Sequence, residues 1–415
     1  MPAYPDILTD LREPARRPVN LRVNPAAQRA IHGGHPWVFD QAVVRQNREG
    51  QAGDLAVIYD DKNRFLALGL FDPDSPIRVR ILHQGKPATI NEDWFSARLA
   101  DAAALRAPLA TRRTTAYRLV HGENDKLPGL VVDRYDKTLV IKLDTTAWIA
   151  HLRCMLAALT RVTPASRIVL RLSRAVLEKP QTLCDLRDGS VLSGPPLEGP
   201  VRFLEHGLRF EADLVNGQKT GFFLDQRDNR ARVEKLCAGA TVLNVFAYTG
   251  AFSLYAARGG ARRIVSLDLS RPALAAAARH FDLNRDDRNV AAADHELLPA
   301  DAFEGLAELA NRRRRFDLIV IDPPSFARNQ AHVDRALAAY ERLARLGLRV
   351  LRPDGIMALA SCSSRVSAGS FFATVHQAAE RAGRPLREIE RTGHPPDHPI
   401  GFKEGAYLKC LFARA

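Results

Sequence analysis

The sequence lacks the features of membrane-bound and exported proteins. No apolar run approaches the roughly 20 residues needed to cross a bilayer. Residues 1–20 mix acids and arginines, with no apolar segment of the kind found in signal peptides. We therefore expect a cytoplasmic protein that has no membrane partner.

Cysteine is also scarce, and the five cysteines are scattered so that none lies within four residues of another. This spacing fits neither a zinc site nor a disulfide framework, and we expect no bound metal. The usual role of such residues is that of small buried hydrophobes, which we expect for all of them except Cys362. The five positions are Cys154, Cys184, Cys237, Cys362 and Cys410.

Acidic residues are too few to balance the basic ones: 47 Asp and Glu face 60 Lys and Arg, which leaves a net charge of +13. Most of the excess is arginine, whose planar side chain suits phosphates and base edges. The balance favours a nucleic-acid partner, although a high-GC genome, which enriches its proteins in arginine and alanine, would produce the same composition. Residues 312–315 form the densest basic run, which could contact phosphate or form a solvated loop.

The chain divides into three compositional blocks. Residues 19–85 contain short β-like runs separated by turn signals, and residues 91–190 combine a helix with a predicted hairpin. A segment rich in proline and glycine, residues 189–200, reads as a linker. Residues 201–415 alternate strands with helices, which predicts an α/β domain built on a mostly parallel sheet.

The most informative stretch is residues 316–325, which read FDLIVIDPPS. A short apolar run of this type makes a buried central strand. Pro323 and Pro324 stop the strand and hold the chain extended, so Asp322 is presented on a stiff loop. Ligands of open α/β sheets bind at the carboxyl ends of the strands, and we expect a polar, planar group to be held there.

Residues 244–250 (NVFAYTG) join another predicted strand to a helix. The turn has one glycine, whereas a dinucleotide site needs several, so a ligand without phosphates, such as an amino-acid carboxylate, fits better. An ordinary strand–helix turn would look the same. Asp268 ends the next strand and could accept from ribose hydroxyls or lie at the start of the following helix. Asp301 could accept from an adenine amino group or cap a helix.

Cys362 lies in the sequence SCSS at the end of the predicted strand 356–361. One helix separates this strand from the Asp322 strand, and in a parallel sheet the two strand ends would be neighbours. A structural cysteine is the simpler interpretation of Cys362 alone. Its polar surroundings and the adjacent D-P-P loop favour a nucleophile instead.

Taken together, these turns describe a site for an adenosyl amino acid beside a planar base, and residues 201–415 resemble a class I S-adenosylmethionine-dependent methyltransferase. Four further motifs are distinctive: residues 35–39 (HPWVF), 118–129 (RLVHGENDKLPG), 217–227 (GQKTGFFLDQR) and 396–399 (PDHP). With these motifs, the whole chain resembles the bacterial and archaeal RNA cytosine-5 methyltransferases that modify large-subunit ribosomal RNA and carry an N-terminal PUA domain.

The resemblance implies a PUA-like RNA-binding domain at residues 19–85, a central α+β domain at 91–190 and a Rossmann-like methyltransferase domain at 201–415. It implies S-adenosylmethionine as cofactor and 5-methylcytosine formation in 23S ribosomal RNA. It leaves open whether the chain forms a homodimer.

The resemblance also implies residue roles. Asp322 would hold the target base and Cys362 would be the nucleophile. Residues implied to contact the base are Pro323, Pro324 and Phe326. Those implied to line the cofactor site are Asn244, Phe246, Tyr248, Thr249, Gly250, Asp268 and Asp301. Those implied to cover the methionine end of the cofactor are Lys219, Thr220, Gly221 and Arg227.

One position departs from a related pattern. Cytosine-5 RNA methyltransferases of the two-cysteine type have a cysteine directly after the two prolines, and this chain has Ser325 there. A cytosine-5 reaction would therefore use a single cysteine, and the group that removes the carbon-5 proton stays unassigned.

Three other functions remain compatible with the sequence. The chain could methylate a base nitrogen, guanine or adenine, with Cys362 as a bystander. It could be a nicotinamide-dependent oxidoreductase, against which the single Gly250 argues. It could also be a catalytically inactive RNA-binding or ribosome-assembly protein, against which the complete set of Asp268, Asp322 and Cys362 argues.

Overall fold

The computed structural model describes Leu8 and residues 10–327 and 329–415. The chain forms two compact units. The first comprises most of the chain up to Gly207 together with Ala212–Leu224 and Pro396–Lys403. The second comprises Leu208–Glu211, Asp225–Pro395 and Glu404–Ala415.

The first unit begins with a six-stranded sheet in the order β2-β6-β5-β4-β1-β3, in which only the β1–β4 pair is parallel. Buried and half-buried residues alternate along β1 and β4, so one face of each strand lies in a small apolar core. The elements are β1 (Val19–Val23), α1 (Pro25–His32), β2 (Trp37–Phe39), β3 (Val43–Gln46), β4 (Leu55–Tyr59), β5 (Phe65–Phe71) and β6 (Ile77–Gln84).

A second sheet of the first unit has five strands in the order β11-β10-β9-β8-β7. Trp148 is fully buried in the core beneath it, and its indole N–H donates to the Pro128 carbonyl at 2.8 Å. The elements are α2 (Glu92–Arg106), β7 (Ala116–His121), β8 (Leu130–Tyr135), β9 (Thr138–Leu143), α3 (Leu152–Val162), β10 (Arg167–Leu172), α4 (Arg174–Leu177) and β11 (Val191–Ser193).

The predicted linker at residues 189–200 is wrong in its first half, because β11 lies within it and pairs antiparallel with β10. Leu192 is 1% exposed, and its burial holds this short strand in the sheet. Gly189 and Gly194 flank it with φ angles of +81° and +89°. The turn residues that suggested a linker therefore mark the two ends of an edge strand.

The second unit is built on a seven-stranded sheet in the order β16-β15-β14-β17-β18-β20-β19. The first five strands are parallel, β20 pairs antiparallel with β18, and β19 pairs antiparallel with β20, as expected for a mostly parallel sheet. The strand β12 (Val201–Glu205) ends the main segment of the first unit, and most of β13 (Leu208–Ala212) belongs to the second. The further elements of the second unit are α5 (Arg227–Lys235), β14 (Thr241–Val245), α6 (Ala251–Arg258), β15 (Arg263–Asp268), α7 (Arg271–Leu283), α8 (Arg288–Ala292), β16 (Asp294–Pro299), α9 (Ala302–Asn311), β17 (Phe316–Ile321), α10 (Val333–Val350), β18 (Leu351–Ser361), α11 (Ala368–Arg381), β19 (Arg387–Thr392) and β20 (Lys409–Arg414).

The strand order reverses at β14, because the chain adds β15 and β16 on one side and then returns to place β17 on the other. A crevice opens at such a switch point, outside the carboxyl ends of the strands. The turns after β14 and β17 both lie at this edge. The sheet therefore brings residues 244–250 and Asp322 to the place where ligands of this fold class bind.

Within the described residues, no helix is long and apolar enough to cross a membrane. The same part of the chain contains no group of three or more His, Cys, Asp or Glu side chains arranged to hold a metal ion. The domain boundaries 19–85, 91–190 and 201–415 stay a prediction.

Candidate active site

Three adjacent strands bring the candidate residues to one edge of the sheet. Ile321 at the end of β17 lies between Val245 of β14 and Leu359 of β18 in the register of the parallel ladder. The loops that follow these strands must therefore start side by side. This confirms the expected proximity of the Asp322 and Cys362 loops.

The turn between β14 and α6 is conformationally strained. Phe246 and Tyr248 adopt left-handed φ angles of 60° and 48°, and Gly250 follows at 71°. A left-handed residue other than glycine costs on the order of 1–2 kcal/mol and persists only where its surroundings enforce it. Such strain concentrates at functional sites, and here it shapes the backbone at the start of α6.

Asp268 at the end of β15 helps to hold this turn. Its two carboxylate oxygens accept from the backbone N–H groups of Tyr248 at 2.7 Å and Ser270 at 2.8 Å. The cap of α7 is Ser270, whose side chain accepts from Ala273 N–H, so Asp268 is not the helix cap. A carboxylate offers about four acceptor positions, so Asp268 retains capacity for ligand hydroxyls.

A buried polar chain runs from the turn into the sheet. The Asn244 amide donates to Ser253 Oγ at 2.9 Å, which lies 2.7 Å from Ser266 Oγ, and Ser266 Oγ lies 2.8 Å from His295 Nε2. Burial lowers the pKa of His295 to about 4, so its imidazole is neutral near pH 7. The chain fixes the orientation of the Asn244 amide, with its carbonyl oxygen turned away from Ser253.

Two buried oxygens beside this turn fit a polar ligand. Among the residues that the structure describes, none provides a hydrogen-bond partner for Asn244 Oδ1 or Thr249 Oγ1. Buried polar atoms are almost always satisfied, and an orphaned pair at a ligand-binding edge indicates a missing partner. Together with the N–H groups at the start of α6, they suit the polar groups of an amino acid.

Asp301 caps α9. One of its carboxylate oxygens accepts from the backbone N–H groups of Phe303 at 2.9 Å and Glu304 at 3.2 Å. Of the two roles that the sequence suggested for Asp301, the structure shows the helix cap. The contact with an adenine amino group stays a prediction for the second carboxylate oxygen.

Asp322 is half-buried and is oriented by a chain of amides. Its Oδ1 accepts from the Gln226 amide at 2.9 Å, and Gln226 in turn accepts from Asn229 at 2.7 Å. Asn229 accepts from the Thr392 hydroxyl at 2.6 Å. Sequence reasoning missed Gln226, although it directly precedes Arg227 in the most distinctive motif of the chain.

Cys362 lies against the loop that carries Asp322. Its Sγ is 3.7 Å from the backbone carbonyl oxygen of Pro323, the residue that follows Asp322. The cysteine is half-buried, Pro323 is buried and Pro324 is exposed. The thiol and the carboxylate thus belong to the same small region, and the thiol is not enclosed in aliphatic packing.

A cluster of hydroxyl groups ties the two loops together. Tyr340 of α10 is fully buried, and its hydroxyl lies 2.8 Å from Ser361 Oγ and 3.0 Å from Ser363 Oγ. Ser363 Oγ lies 3.1 Å from Ser325 Oγ and accepts from Phe326 N–H at 3.2 Å. Burial raises the pKa of Tyr340, so its hydroxyl stays protonated. Ser325, where a second cysteine would stand, has this structural role.

The remaining predicted cofactor residues are divided between the units. In the first unit, Thr220 is buried, its hydroxyl donates to Asp133 at 2.6 Å, and the Tyr135 hydroxyl lies 3.1 Å from it. Lys219 is exposed, with its ammonium 4.5 Å from the Phe223 ring centre. These contacts anchor the motif within its own unit.

Two further residues of the same motif, Gly221 and Arg227, are buried. Gly221 has a φ of +126°, and an added Cβ would lie 3.0 Å from the Asp213 carbonyl oxygen. In the second unit, Arg227 is fully buried at the start of α5. Cofactor contacts by Lys219, Thr220, Gly221 and Arg227 stay predictions.

The basic run at residues 312–315 is partly neutralised. Arg312 pairs with Glu308 at 2.6 Å, and Arg314 makes a bidentate pair with Glu296 at 2.6 and 2.8 Å. Half of the run is therefore engaged within the protein, which favours the solvated-loop interpretation for those two arginines.

The chain matches two known families. The model of the S-adenosylmethionine-dependent methyltransferases matches residues 117–414, and that of the PUA-like domain matches residues 21–84. The first match covers more than half of the chain and defines its class. S-adenosylmethionine is therefore its cofactor.

Proteins of similar sequence show which kind of methyltransferase the chain is. A ribosomal RNA large subunit methyltransferase of Deinococcus radiodurans is 48% identical over 399 residues, covering 95% of this chain and 97% of the relative. Ribosomal RNA large subunit methyltransferase I of Photobacterium profundum is 38% identical over 389 residues, covering 92% and 96%. The chain belongs to this family of PUA-containing ribosomal RNA large subunit methyltransferases.

Solved structures support the same fold. A candidate S-adenosylmethionine-dependent methyltransferase from Streptococcus mutans matches with a TM-score of 0.81 at 24% identity, covering 95% of this chain and all of that one. A candidate methyltransferase crystallised with S-adenosylhomocysteine matches with a TM-score of 0.82, also at 24% identity and with the same coverage. The Rossmann-like methyltransferase fold predicted from the sequence is confirmed.

Proposed function

We propose that this chain forms 5-methylcytosine in the 23S ribosomal RNA of the cytoplasm, through a covalent adduct on Cys362. The names of its relatives support ribosomal RNA as the substrate. The observation that carries the cytosine-5 chemistry is the contact of Cys362 Sγ with the Pro323 carbonyl at 3.7 Å, beside Asp322. A nucleophilic thiol next to a base-holding carboxylate is what this reaction requires.

S-adenosylmethionine supplies an electrophilic methyl group when bound. The residues that would hold it are those of the strained turn after β14, with Asn244 and Thr249 offering unpartnered oxygens to its amino-acid end. Asp268 would accept from the ribose hydroxyls, and Asp301 from the adenine amino group. Lys219, Thr220, Gly221 and Arg227 would cover the methionine end.

Cys362 would perform the first chemical step. Carbon 5 of cytosine is a poor nucleophile, and addition of the Cys362 thiolate to carbon 6 makes a bond to sulfur and moves electron density to carbon 5. Carbon 5 would then form a bond to the methyl group, and the bond between that methyl and the sulfonium sulfur would break to leave a neutral thioether. Loss of the carbon-5 proton and release of the thiolate regenerate the double bond and the enzyme. Covalent catalysis thus divides one difficult step into easier ones.

Asp322 would hold the base during this sequence. It directly precedes Pro323, whose carbonyl Cys362 contacts, and the Gln226 amide fixes the orientation of its carboxylate by donating to Oδ1. Hydrogen bonding near ring nitrogen 3 would offset the charge that develops in the ring on thiolate addition. Pro323, Pro324 and Phe326 would limit where the base can lie.

The target base must leave its stack to reach Cys362, which costs a few kcal/mol and less in a loop or bulge. The PUA-like domain and the net charge of +13 would supply RNA affinity through backbone contacts. We propose the boundaries 19–85, 91–190 and 201–415 for the RNA-binding, central and catalytic domains.

The adduct itself tests the proposal. RNA containing 5-fluorocytosine should trap the purified protein as a covalent complex that survives denaturing electrophoresis, since fluorine cannot leave carbon 5 as a proton does. Cys362→Ser should abolish the complex, and Cys184→Ser, which changes an exposed cysteine, should not. Bisulfite sequencing of ribosomal RNA from a strain that lacks the protein would locate the target.

Two outcomes would overturn the proposal. Methyl transfer to RNA without an adduct would indicate methylation of a base nitrogen. RNA binding without any methyl transfer would indicate an inactive binding or assembly protein.

Replacement of Cys362 should affect methyl transfer and cofactor binding differently. Cys362→Ala should remove methyl transfer while leaving S-adenosylmethionine affinity within a few-fold of wild type, because the cysteine lies on the base side of the site. Isothermal titration with the cofactor and a tritium-transfer assay measure the two quantities. Wild-type rates from the variant would exclude the covalent scheme.

A further inference from the structure

Lys409 is a buried cation that the reaction scheme above does not use. It begins β20 in the apolar sequence Leu408-Lys409-Cys410-Leu411 and is 5% exposed. Its ammonium donates to the backbone carbonyls of Ser363 at 2.6 Å, Val366 at 2.7 Å and Tyr407 at 3.1 Å. All three donors of the ammonium are satisfied, but carbonyl oxygens leave its positive charge uncompensated.

Two of these acceptors belong to the turn that follows Cys362. Lys409 is also paired with Ser361 across the antiparallel β18–β20 ladder, so it lies opposite the residue that precedes Cys362. The ammonium therefore closes the turn from Ser363 to Val366 from the neighbouring strand. Removing it would take the ammonium donor from both carbonyls, leave the Ser363 carbonyl with the 3.2 Å bond from Val366 N–H, and loosen the turn.

The Lys409 ammonium interacts electrostatically with the Cys362 side chain. Burial lowers the pKa of Lys409 to about 8, while the charge of Cys362 acts in the opposite direction. The ammonium form therefore still predominates near pH 7, where it favours a nearby thiolate. Asp322 directly precedes the residue whose carbonyl Cys362 contacts, and a nearby anion disfavours a thiolate, so a cation on the other side of Cys362 would offset it. The titratable and charged groups around the pair are Asp322 after β17, Tyr340 on α10, Arg365 on the Cys362 turn, and His394 and Tyr407 beside Lys409.

We propose that Lys409 is a positioning residue for Cys362: its ammonium holds the turn that carries the cysteine and favours the thiolate over the thiol. The proposal rests on the nucleophilic role of Cys362 proposed above. Lys409 itself touches neither base nor cofactor in this scheme. It acts by presenting Cys362 in its reactive form and in a fixed place.

Alkylation of Cys362 by iodoacetamide tests the proposal without RNA or methyl transfer. The rate is followed from pH 5 to 10 on the full-length protein, and mass spectrometry assigns the modified cysteine. In Lys409→Met the midpoint for Cys362 should rise by about one pH unit or more. Lys409→Arg, which keeps the charge, should stay near wild type, as should the surface control Lys235→Met.

An unchanged midpoint in Lys409→Met would overturn the proposal. Should Lys409→Met fail to fold, as judged by circular dichroism, the wild-type protein provides its own reference in the exposed Cys184. Cys362 should then titrate below Cys184, and a midpoint at or above that of Cys184 would exclude a stabilising cation. Because this titration involves no RNA, loss of the 5-fluorocytosine adduct would refute the proposed function separately.

Discussion

Asp268 connects the strained turn to the next strand, and its two backbone hydrogen bonds explain why an acid is placed there. The Tyr248 N–H needs a side-chain acceptor, because the left-handed conformation of Tyr248 keeps this group out of the backbone hydrogen bonds of a strand or helix. The same carboxylate keeps acceptor capacity for ribose hydroxyls. One side chain thus shapes the turn and is available to the ligand.

Asp268→Ala should therefore raise the S-adenosylmethionine dissociation constant about tenfold or more, since a lost hydrogen bond to a charged group costs on the order of 1–3 kcal/mol. Titration calorimetry measures the change. Ser270→Ala is the matched control, because it removes the adjacent cap of α7 and leaves Asp268 in place. An unchanged constant in Asp268→Ala would remove this residue from the cofactor site.

Residues that end strands could be predicted from the sequence, whereas the residues that hydrogen-bond to them could not. Asp268, Asp322 and Cys362 could be located because each follows an apolar run. Gln226 and Tyr340 could not, because their partners lie far away in the chain and only the folded sheet brings them together. Lys409 left a weak signal, a single lysine in an apolar strand.

Among the elements, the turn into α6 carries the tightest steric constraint. Gly250 has a φ of +71°, and an added Cβ would lie 2.5 Å from the Ala277 Cβ on α7. The close approach of α6 to α7 sets where the N–H groups at the start of α6 point. A side chain at position 250 would force these helices apart.

Gly250→Ala should lower both the free energy of unfolding and cofactor affinity. The left-handed backbone accounts for about 1 kcal/mol, and the clash with Ala277 adds to it. Gly239→Ala isolates the clash, because Gly239 has a similar φ of +68° with nothing within 4 Å of its added Cβ. Urea denaturation and cofactor titration measure the two effects. Equal losses in both variants would contradict the steric argument.

Regular elements with a clear period could be predicted well. The helix predicted after residues 244–250, the strand predicted within residues 316–325 and the hairpin predicted within residues 91–190 are confirmed. They are Ala251–Arg258, Phe316–Ile321 and the pair Leu130–Tyr135 with Thr138–Leu143. The strand Val191–Ser193 could not be predicted, because its glycine and proline neighbours are equally typical of a linker. The left-handed conformations of Phe246 and Tyr248 likewise leave no mark in the sequence.

For the molecule as a whole, the net positive charge should affect RNA binding much more than cofactor binding. The excess of 13 positive charges acts on a polyanion along its length, whereas the cofactor occupies a small site made of turns and strand ends. Several arginines are already paired with acids, as in the basic run at residues 312–315. The remaining surface cations would displace counterions from RNA on binding.

RNA affinity should therefore fall steeply with salt while cofactor affinity changes little. Each phosphate contact contributes a slope of about −0.7 to −0.9 in the plot of log affinity against log salt concentration, so several contacts give a loss of tenfold or more between about 50 and 200 mM. Filter binding with a ribosomal RNA fragment and calorimetry with S-adenosylmethionine, in the same buffers, provide the comparison. RNA binding that is insensitive to salt would mean that shape and base contacts, rather than the basic surface, hold the substrate. Parallel losses for both ligands would instead indicate that salt destabilises the fold they share.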